Sequence, residues 1–383
     1  MAPKRKKEVL LEVDVVLLGP PPTGDLLELV MHMYTADEAD VVQHLPPLWP
    51  RTAKAVAERS GLGIEEARGI LDHLAFTKAV VLASGKKQRK YTILPVVPGT
   101  FEMALMTPDL STRNSWHREF ASIFERIYDS GFLVDYVRSA RPILRTLPAN
   151  ALAGSLHGAW PAEKLEELLE PHTRFAIGNC QCRVAMQLLG KGCDRPLQNC
   201  VAFGPMAKPV IQRGLMREVS RQAVIDAKRE AEQNGCVTWI GNSRQDWRGN
   251  VSCSCCGCCC HALRLITEFN VPSMICRPHF VPVRDEATCT SCRLCSDACA
   301  TGAWQRSGDG DQVEVEYSPA RCIGCGLCVV ACEFGAMRLE PTTTVRPMER
   351  SWRAMLLRSA PSYLTTSVRV WAGRLFGGSE RPG

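Results

Sequence analysis

The sequence predicts a multi-domain protein of the α+β class, and three observations lead to this prediction. The chain has 383 residues, which is roughly enough for two or three domains of ordinary size. Its N-terminal part has helical periodicity followed by strand-like periodicity, a pattern typical of helices and sheets that are segregated along the chain. All 20 cysteines lie between Cys180 and Cys332, so the second half of the chain must be organised around its thiols.

The composition is that of a globular protein, with 45% hydrophobic residues, 22% charged residues and a net charge of +6. These values exclude wholesale disorder, a collagen-like repeat and a many-span membrane protein. Glu8, Glu12 and Asp14 interrupt the apolar stretch that follows the basic N-terminus, so we expect no signal peptide. We therefore predict a cytoplasmic protein, in which dense cysteines indicate metal ligation or redox chemistry rather than disulfides.

Pattern and composition divide the chain into six segments. They are a basic start and linker (1–25), a domain of three helices and a hairpin (26–98), a helical connecting region (99–175), a cysteine-rich α/β domain (176–280), a second cysteine-rich domain (281–342) and a basic amphipathic tail (343–383). The tail carries Trp352 and Trp371 among several arginines. Such a tail is predicted to lie on a membrane surface or to pack on protein.

The segment 26–98 resembles a winged helix-turn-helix domain, because three helical stretches precede a hairpin with a basic tip. The resemblance implies that the helix predicted at 64–79 enters a DNA major groove, while Lys86, Lys87, Arg89 and Lys90 contact phosphates. That helix carries more acidic than basic residues. DNA is therefore the weaker candidate partner, and a protein-docking or structural role is the alternative.

The decisive pattern is C-x2-C-x2-C-x3-C, which occurs twice near the C-terminal end. The first run is Cys289, Cys292, Cys295 and Cys299, and the second is Cys322, Cys325, Cys328 and Cys332. A tight loop with thiolates three residues apart reaches three iron corners of a cubane, and the fourth corner needs a thiolate from elsewhere. Structural zinc prefers paired C-x2-C units separated by a longer loop. The pattern thus favours iron–sulfur clusters over zinc.

These runs closely resemble the bacterial two-cluster ferredoxin domain over about 60 residues, from near Pro282 to Pro341. The segments 322–328 and 334–336 match the family's second loop, whereas Ala300 and Glu333 replace the proline that usually follows each fourth cysteine. The resemblance implies a ferredoxin-like fold, one-electron transfer and two 4Fe-4S clusters. It assigns Cys289, Cys292, Cys295 and Cys332 to one cluster, and Cys322, Cys325, Cys328 and Cys299 to the other.

The remaining twelve cysteines predict a second metal-binding region. If a helix opens at Cys256, then Cys256, Cys259 and Cys260 share one face of it. The candidate metal ligands are Cys180, Cys182, Cys193, Cys200, Cys253, Cys256, Cys259 and Cys260, with His261 and His279 as further candidates. One or two more iron–sulfur clusters, zinc or another soft metal, and free redox-active thiols all stay open. The region loosely resembles multi-cysteine ferredoxin-like proteins of anaerobes, which implies anaerobic metabolism.

The function that these features predict first is electron transfer to or from a partner oxidoreductase. A redox-sensing DNA-binding regulator and a reductase that uses the second cysteine group are the alternatives. An electron carrier or an oxidoreductase subunit is favoured over a stand-alone enzyme. The chain has no nucleotide-binding glycine loop, because Gly61 and Gly63 lack the third glycine and the preceding strand. A flavin or nicotinamide site is not expected.

Overall fold

A computed structural model describes residues 24–368, with gaps at 47–48, 86–87, 95, 132–133, 135–136, 139–140, 158, 160–162, 245–249, 309–313, 344–347, 352–353, 356, 363 and 366–367. The chain falls into two compact units. The first comprises Met1–Met106, Ser111–Tyr136 and Ala360–Gly383, and the second comprises Thr107–Leu110 and Val137–Ser359. The predicted mixture of helices and sheets is confirmed, while the six segment boundaries stay predictions.

The first unit combines a set of helices with one small antiparallel sheet. Its helices include α1 (Gly24–Met33), α2 (Ala36–Val42), α3 (Ala53–Ser60), α4 (Ile64–Phe76), α5 (Phe101–Leu105) and α6 (Ser115–Asp129). Its strands are β1 (Arg51–Thr52), β2 (Val81–Ser84) and β3 (Lys90–Ile93), in the order β1-β3-β2. Buried Leu71, Leu74 and Tyr91 belong to its apolar core.

Local sequence signals set the helix ends in this unit. The Thr52 side chain accepts a hydrogen bond from the backbone N–H of Ala55 at 3.2 Å and caps α3. Gly61, at a φ of 74°, ends the same helix in the left-handed region. The helix predicted at 64–79 stops at Phe76, because the chain turns there and Ala79 has a φ of 56°.

The second unit contains all the cysteines and is built on a larger sheet. Its helices include α7 (Leu165–Leu169), α8 (Gln181–Leu188), α9 (Ala207–Gln212), α10 (Arg221–Gln233), α11 (His261–Thr267), α12 (Leu294–Asp297) and α13 (Leu327–Val330). Its strands are β4 (Leu144–Thr146), β5 (Phe175–Asn179), β6 (Gln198–Phe203), β7 (Arg217–Val219), β8 (Val237–Gly241), β9 (Val251–Cys255), β10 (Phe280–Arg284), β11 (Trp304–Ser307), β12 (Glu314–Tyr317) and β13 (Met337–Pro341).

The large sheet has the order β4-β8-β9-β6-β5-β7, and every neighbouring pair in it is antiparallel. The prediction of an α/β middle domain is therefore wrong in detail, since that class has parallel strands. Hydrophobic periodicity fixes which residues are buried but not the direction in which a strand runs. Buried Val201, Phe203 and Val224 belong to the core that α10 forms with the sheet.

The helix predicted to open at Cys256 begins five residues later, at His261. Cys256–Cys259 instead form a tight turn between β9 and α11. A Cβ atom on Gly257 would lie 2.2 Å from the carbonyl oxygen of Ala300, so this glycine permits a close approach that a side chain would block. The three cysteines consequently do not share a helix face, and the turn aims their thiols differently.

The C-terminal part of the second unit repeats one backbone motif at an interval of 33 residues, as Cys289 and Cys322 illustrate. The strand before the first loop, β10, pairs with the strand after the second loop, β13, and β11 pairs with β12. In each loop two residues adopt left-handed conformations, and these are Ser291 and Arg293 in the first and Gly324 and Gly326 in the second. Helices α12 and α13 follow at equivalent positions, so the two cysteine runs have the same local geometry.

The repeated motif packs tightly on the large-sheet domain within the second unit. Ile323 and Leu327 are buried in the same core as Cys255 and Cys260. The backbone N–H of Ala149 also donates a 2.8 Å hydrogen bond to the carbonyl oxygen of Cys325. The two cysteine-rich segments therefore form one continuous structure.

Among the described residues, no helix combines the length and the apolar character needed to cross a bilayer. In the tail, Leu357 and Leu364 are exposed. Trp352 and Trp371 lie outside the described residues, as do Lys86 and Lys87 and most of the basic start.

Gly257→Ala tests the contact between the two cysteine-rich segments. We expect it to lower the free energy of unfolding by about 1–3 kcal/mol, because overpacking against backbone forces the chain to shift. Gly154→Ala is the control, since a Cβ atom there meets nothing within 4 Å. Anaerobic chemical denaturation of both variants measures the difference, and equal stability would contradict the packing described here.

Candidate metal centres

The first predicted cysteine set lines one cavity in the repeated motif. The cavity has a volume of about 300 Å³, and Cys289, Cys292, Cys295 and Cys332 all lie on its wall. Cys292 is exposed and the other three are partly exposed. The structure thus brings the fourth cysteine of the second run to the first three of the first run, at a place that solvent reaches.

The second predicted set, which consists of Cys299 and the first three cysteines of the second run, is more buried than the first set. Burial and the neighbouring Cys299 thiolate raise the pKa of Cys328 to about 12. Burial also raises the pKa of Cys325, with Cys328 and Cys299 adding to the effect. Cys299 therefore lies among the cysteines of the second run, and its sulfur accepts hydrogen bonds from the backbone N–H groups of Ala303 at 3.1 Å and Trp304 at 3.5 Å.

Both sets pack on the same small core. Trp304, Cys328 and Met337 form this core, and Cys295, Cys299 and Cys332 pack against it. Each predicted set thus contributes at least one of its sulfurs to one shared apolar contact region. Two groups held by these sets would be direct neighbours.

Two buried hydrogen-bond donors in this region have no partner among the described residues. They are the indole Nε1 of Trp304 and the hydroxyl of Tyr317. Burial and an interaction with Cys322 raise the pKa of Tyr317, and an interaction with Trp304 lowers that of Cys328, so each donor has a cysteine sulfur as a nearby acceptor without a hydrogen bond of good geometry. Buried donors without acceptors are rare in native structures, so both fit a site that supplies sulfur acceptors.

Six of the other twelve cysteines form a second group around the end of the large sheet, which we name the inner thiol group. Its members, which influence one another's pKa, are Cys180, Cys182, Cys200, Cys253, Cys255 and Cys260. Hydrogen bonds from Cys182 and Cys255 hold the pKa of Cys180 well below its usual range. Burial raises the pKa of Cys260, but hydrogen bonds from Cys182 and Cys255 outweigh it and lower the value.

Four members of the inner thiol group are neighbours in the order Cys180, Cys182, Cys260 and Cys255, and we call these four the ring. Cys180 adjoins Cys182 and Cys255, and Cys260 adjoins the same two residues. Cys253 lies beside the ring between Cys255 and Cys200. A ring of four soft sulfur ligands matches the ligand number of a 4Fe-4S cluster.

Four further cysteines form a tighter group, which we name the turn thiol group. Its members are Cys193, Cys256, Cys258 and Cys259, and their sulfurs all lie within 4.8 Å of one another. The Sγ atoms of Cys193 and Cys256 are 3.8 Å apart, and those of Cys193 and Cys259 are 3.7 Å apart. Within the described part of the chain, no other group of potential metal ligands is gathered this closely.

Two fully buried cations lie among these thiols. Burial opposes the charge of Arg183, but the thiolates of Cys180 and Cys236 outweigh it and raise the pKa of Arg183. Lys228 donates hydrogen bonds to the carbonyl oxygens of Asn199 and Ser252 and to the hydroxyl of Ser254. Among the described residues no carboxylate forms an ion pair with either cation. Thiolates of the cysteine groups supply negative charge near both cations, and the Glu232 carboxylate adds to it near Lys228.

The sequence indicates most of these cysteines as candidate ligands, but it groups them differently. The set Cys180, Cys182, Cys193 and Cys200 is divided between the two groups, and Cys255 and Cys258 were not among the predicted ligands. Only the folded chain shows that a turn sends Cys256 and Cys259 away from Cys260. Cys236 lies beside Arg183, and Cys276 lies 3.5 Å from Arg145.

The two histidine candidates have different surroundings. His279 lies 2.8 Å from a carboxylate oxygen of Glu163, so its ring nitrogen already has a partner outside the cysteine groups. His261 is buried at the start of α11, directly after Cys260.

Residues 288–336 match the family model of the 4Fe-4S dicluster domain. The match contains all eight cysteines of the two predicted sets. No curated protein and no solved structure shows a significant similarity to the chain. The prediction of 4Fe-4S cofactors is confirmed, and the cavity, the backbone donors to Cys299 and the unpaired donors of Trp304 and Tyr317 fit such clusters.

Tyr317→Phe tests the role of the buried hydroxyl. Its loss should shift the reduction potential of the cluster beside Cys322 to more negative values by on the order of tens of mV, because hydrogen bonds to sulfur stabilise the reduced, more negative state. The iron content should not change. An EPR-monitored redox titration measures the shift. Tyr91→Phe, which removes a hydroxyl bonded to Asp72 in the first unit, should leave the potential unchanged, and an equal shift in both variants would contradict the assignment.

Proposed function

We propose that the chain is an electron-transfer protein that relays single electrons through its iron–sulfur clusters to or from a partner oxidoreductase. The observation that carries this proposal is the shared core of Trp304 and Met337, against which cysteines of both predicted sets pack. Neighbouring clusters give a short tunnelling path. When bound, the clusters supply reversible one-electron chemistry, and the chain's own residues fix their separation and shield the second set from water more than the first.

The burial of the cysteine sets supports a direction for the relay. The set with Cys292 lies in an open cavity, where a partner protein can approach. The set with Cys325 and Cys328 is more buried and adjoins the core of the large-sheet domain. We infer that electrons enter or leave through the exposed set and pass inward through the buried set.

The inner thiol group extends this path. Cys255 and Cys260 are buried in the same core as Leu327, and Cys182 and Cys325 pack against that core. We propose that the ring of Cys180, Cys182, Cys255 and Cys260 holds a third 4Fe-4S cluster. The buried cations Arg183 and Lys228 support this assignment, because a cluster with four thiolates is anionic and offsets their charge.

The experiment that tests electron transfer follows the clusters without any substrate. Anaerobically purified protein should be reduced by a low-potential donor and fully reoxidised by an artificial acceptor over repeated cycles, with the reduced state visible by EPR. Cys332→Ser should alter the signal of one cluster and Cys299→Ser that of the other. A protein that cannot be cycled, or that is reoxidised only in the presence of a turnover substrate, would contradict a carrier function.

The third cluster is tested by counting iron and acid-labile sulfide. We expect about twelve irons per chain in the natural sequence and about eight in Cys260→Ser, since each 4Fe-4S cluster holds four. Cys276→Ser is the matched control, because Cys276 is also buried but contacts Arg145 outside the ring. A natural protein with about eight irons would exclude the third cluster while leaving the relay through the first two intact.

The regulator alternative has less support. Helices α2, α3 and α4 and the small sheet of the first unit are consistent with the proposed winged-helix domain. However, Arg89 is held by Asp72 at 2.8 Å, and Arg68 is held by Glu65 at 2.7 Å. These ion pairs reduce the positive charge that a phosphate backbone requires. We therefore propose a docking role for this domain, a cytoplasmic location for the protein and a peripheral role for the tail.

A further inference from the structure

We propose that the turn thiol group is a separate, redox-silent zinc site in which Cys193, Cys256, Cys258 and Cys259 bind one tetrahedral ion. This site lies outside the matched domain and outside the proposed relay. It differs from the inner thiol group in spacing, in exposure and in the part of the chain that it joins.

The spacing of the sulfurs identifies the kind of metal. Zinc holds four thiolates at about 2.3 Å, and a regular tetrahedron of that size places its sulfurs about 3.8 Å apart. The sulfur separations in the structure are 3.8 Å between Cys193 and Cys256, 3.8 Å between Cys258 and Cys259, and 3.7 Å between Cys259 and Cys193. A four-iron cubane is larger than one ion and needs its thiolates further apart.

The repeated motif provides an internal comparison. The sulfurs of Cys289, Cys292, Cys295 and Cys332 surround a cavity of about 300 Å³, which is room for a cluster rather than for one ion. Among the described residues, the turn thiol group alone gathers its ligand atoms within 4.8 Å. The same separations are also too long for disulfides, whose sulfurs lie about 2.05 Å apart.

The surroundings of the turn thiol group fit a site with four thiolates and a net negative charge. Arg195 Nη1 donates to the sulfur of Cys258 at 3.5 Å, while its Nε donates to the carbonyl oxygen of Asn234 at 2.9 Å. Arg183 lies on the buried side, near Cys256. Cys256 and Cys259 pack in an apolar core with Met186 and Ala231. One exposed and three shielded sulfurs make a closed structural site rather than an open catalytic one.

The position of the site explains what the ion would stabilise. Cys256, Cys258 and Cys259 lie in the turn between β9 and α11, whose two ends carry Cys255 and Cys260 of the inner thiol group. Cys193 lies in the loop after α8, the helix that begins at Cys180 and Cys182. An ion that joins this turn to this loop therefore fixes both halves of the ring. Zinc is well suited, because it has no redox chemistry that could divert electrons.

The test measures zinc and iron separately in the full-length protein. We expect about one zinc per chain in the natural sequence and a more than fivefold lower zinc content in Cys258→Ser, with iron unchanged. Cys258 is exposed, so its substitution should disturb folding least. Cys236→Ser is the matched control, because Cys236 packs in the same core as Cys256 without belonging to the group; it should keep its zinc.

Cobalt substitution gives a readout that does not depend on a variant. Protein that has taken up Co²⁺ at this site should show the intense visible bands of a tetrahedral thiolate site, and added zinc should abolish them. Iron in place of zinc in the natural protein, an iron loss in Cys258→Ser, or zinc retained by that variant would each overturn the proposal. None of these results would affect the test of electron cycling.

Discussion

Arg183 and Lys228 are fully buried at the heart of the large-sheet domain, where a cation is several kcal/mol less stable than in water unless an anion compensates it. Lys228 presents its three N–H groups to three oxygen acceptors, which is the pattern of a charged ammonium group. Oxygen acceptors of this kind are neutral, so they do not cancel the charge. Burial lowers the pKa of Lys228, while nearby thiolates and the Glu232 carboxylate oppose this effect and favour its charged form. Metal binding keeps thiols ionised, so it would strengthen this compensation.

The turn 256–259 connects these sulfurs to the rest of the second unit. Its ends deliver Cys255 and Cys260 to the inner ring, its thiols face Cys193, and Gly257 contacts Ala300 directly after Cys299. A displacement of this turn would therefore disturb three cysteine groups together. The unfolded chain has no preformed ligand set, so the free energy of metal binding in such a unit adds to the stability of the folded state.

The eight cysteines of the repeated motif could be predicted from the sequence because their spacing is local and repeats. Three ligands lie within seven residues of each other, and the left-handed residues of each loop are compatible with that spacing. The cysteines of the inner and turn thiol groups could not be assigned to their groups in this way. Cys193 meets Cys256 across 63 residues, and no local signal encodes such a contact. The sequence also predicts a helix from Cys256 and therefore misses the turn that separates Cys259 from Cys260.

Burial and nearby charge together set the reduction potentials of the clusters in the proposed relay. Reduction adds a negative charge, which low-dielectric surroundings disfavour, so a buried cluster without compensation has a lower potential than an exposed one. Arg183 and Lys228 lie close to the inner ring. Their positive charges would raise the reduction potential of a cluster there. Arg284 and Arg293 line the cavity of the exposed set with Cys292, but neither is fully buried. In the proposed relay, the buried cations would therefore favour an electron at the inner ring over one at the surface.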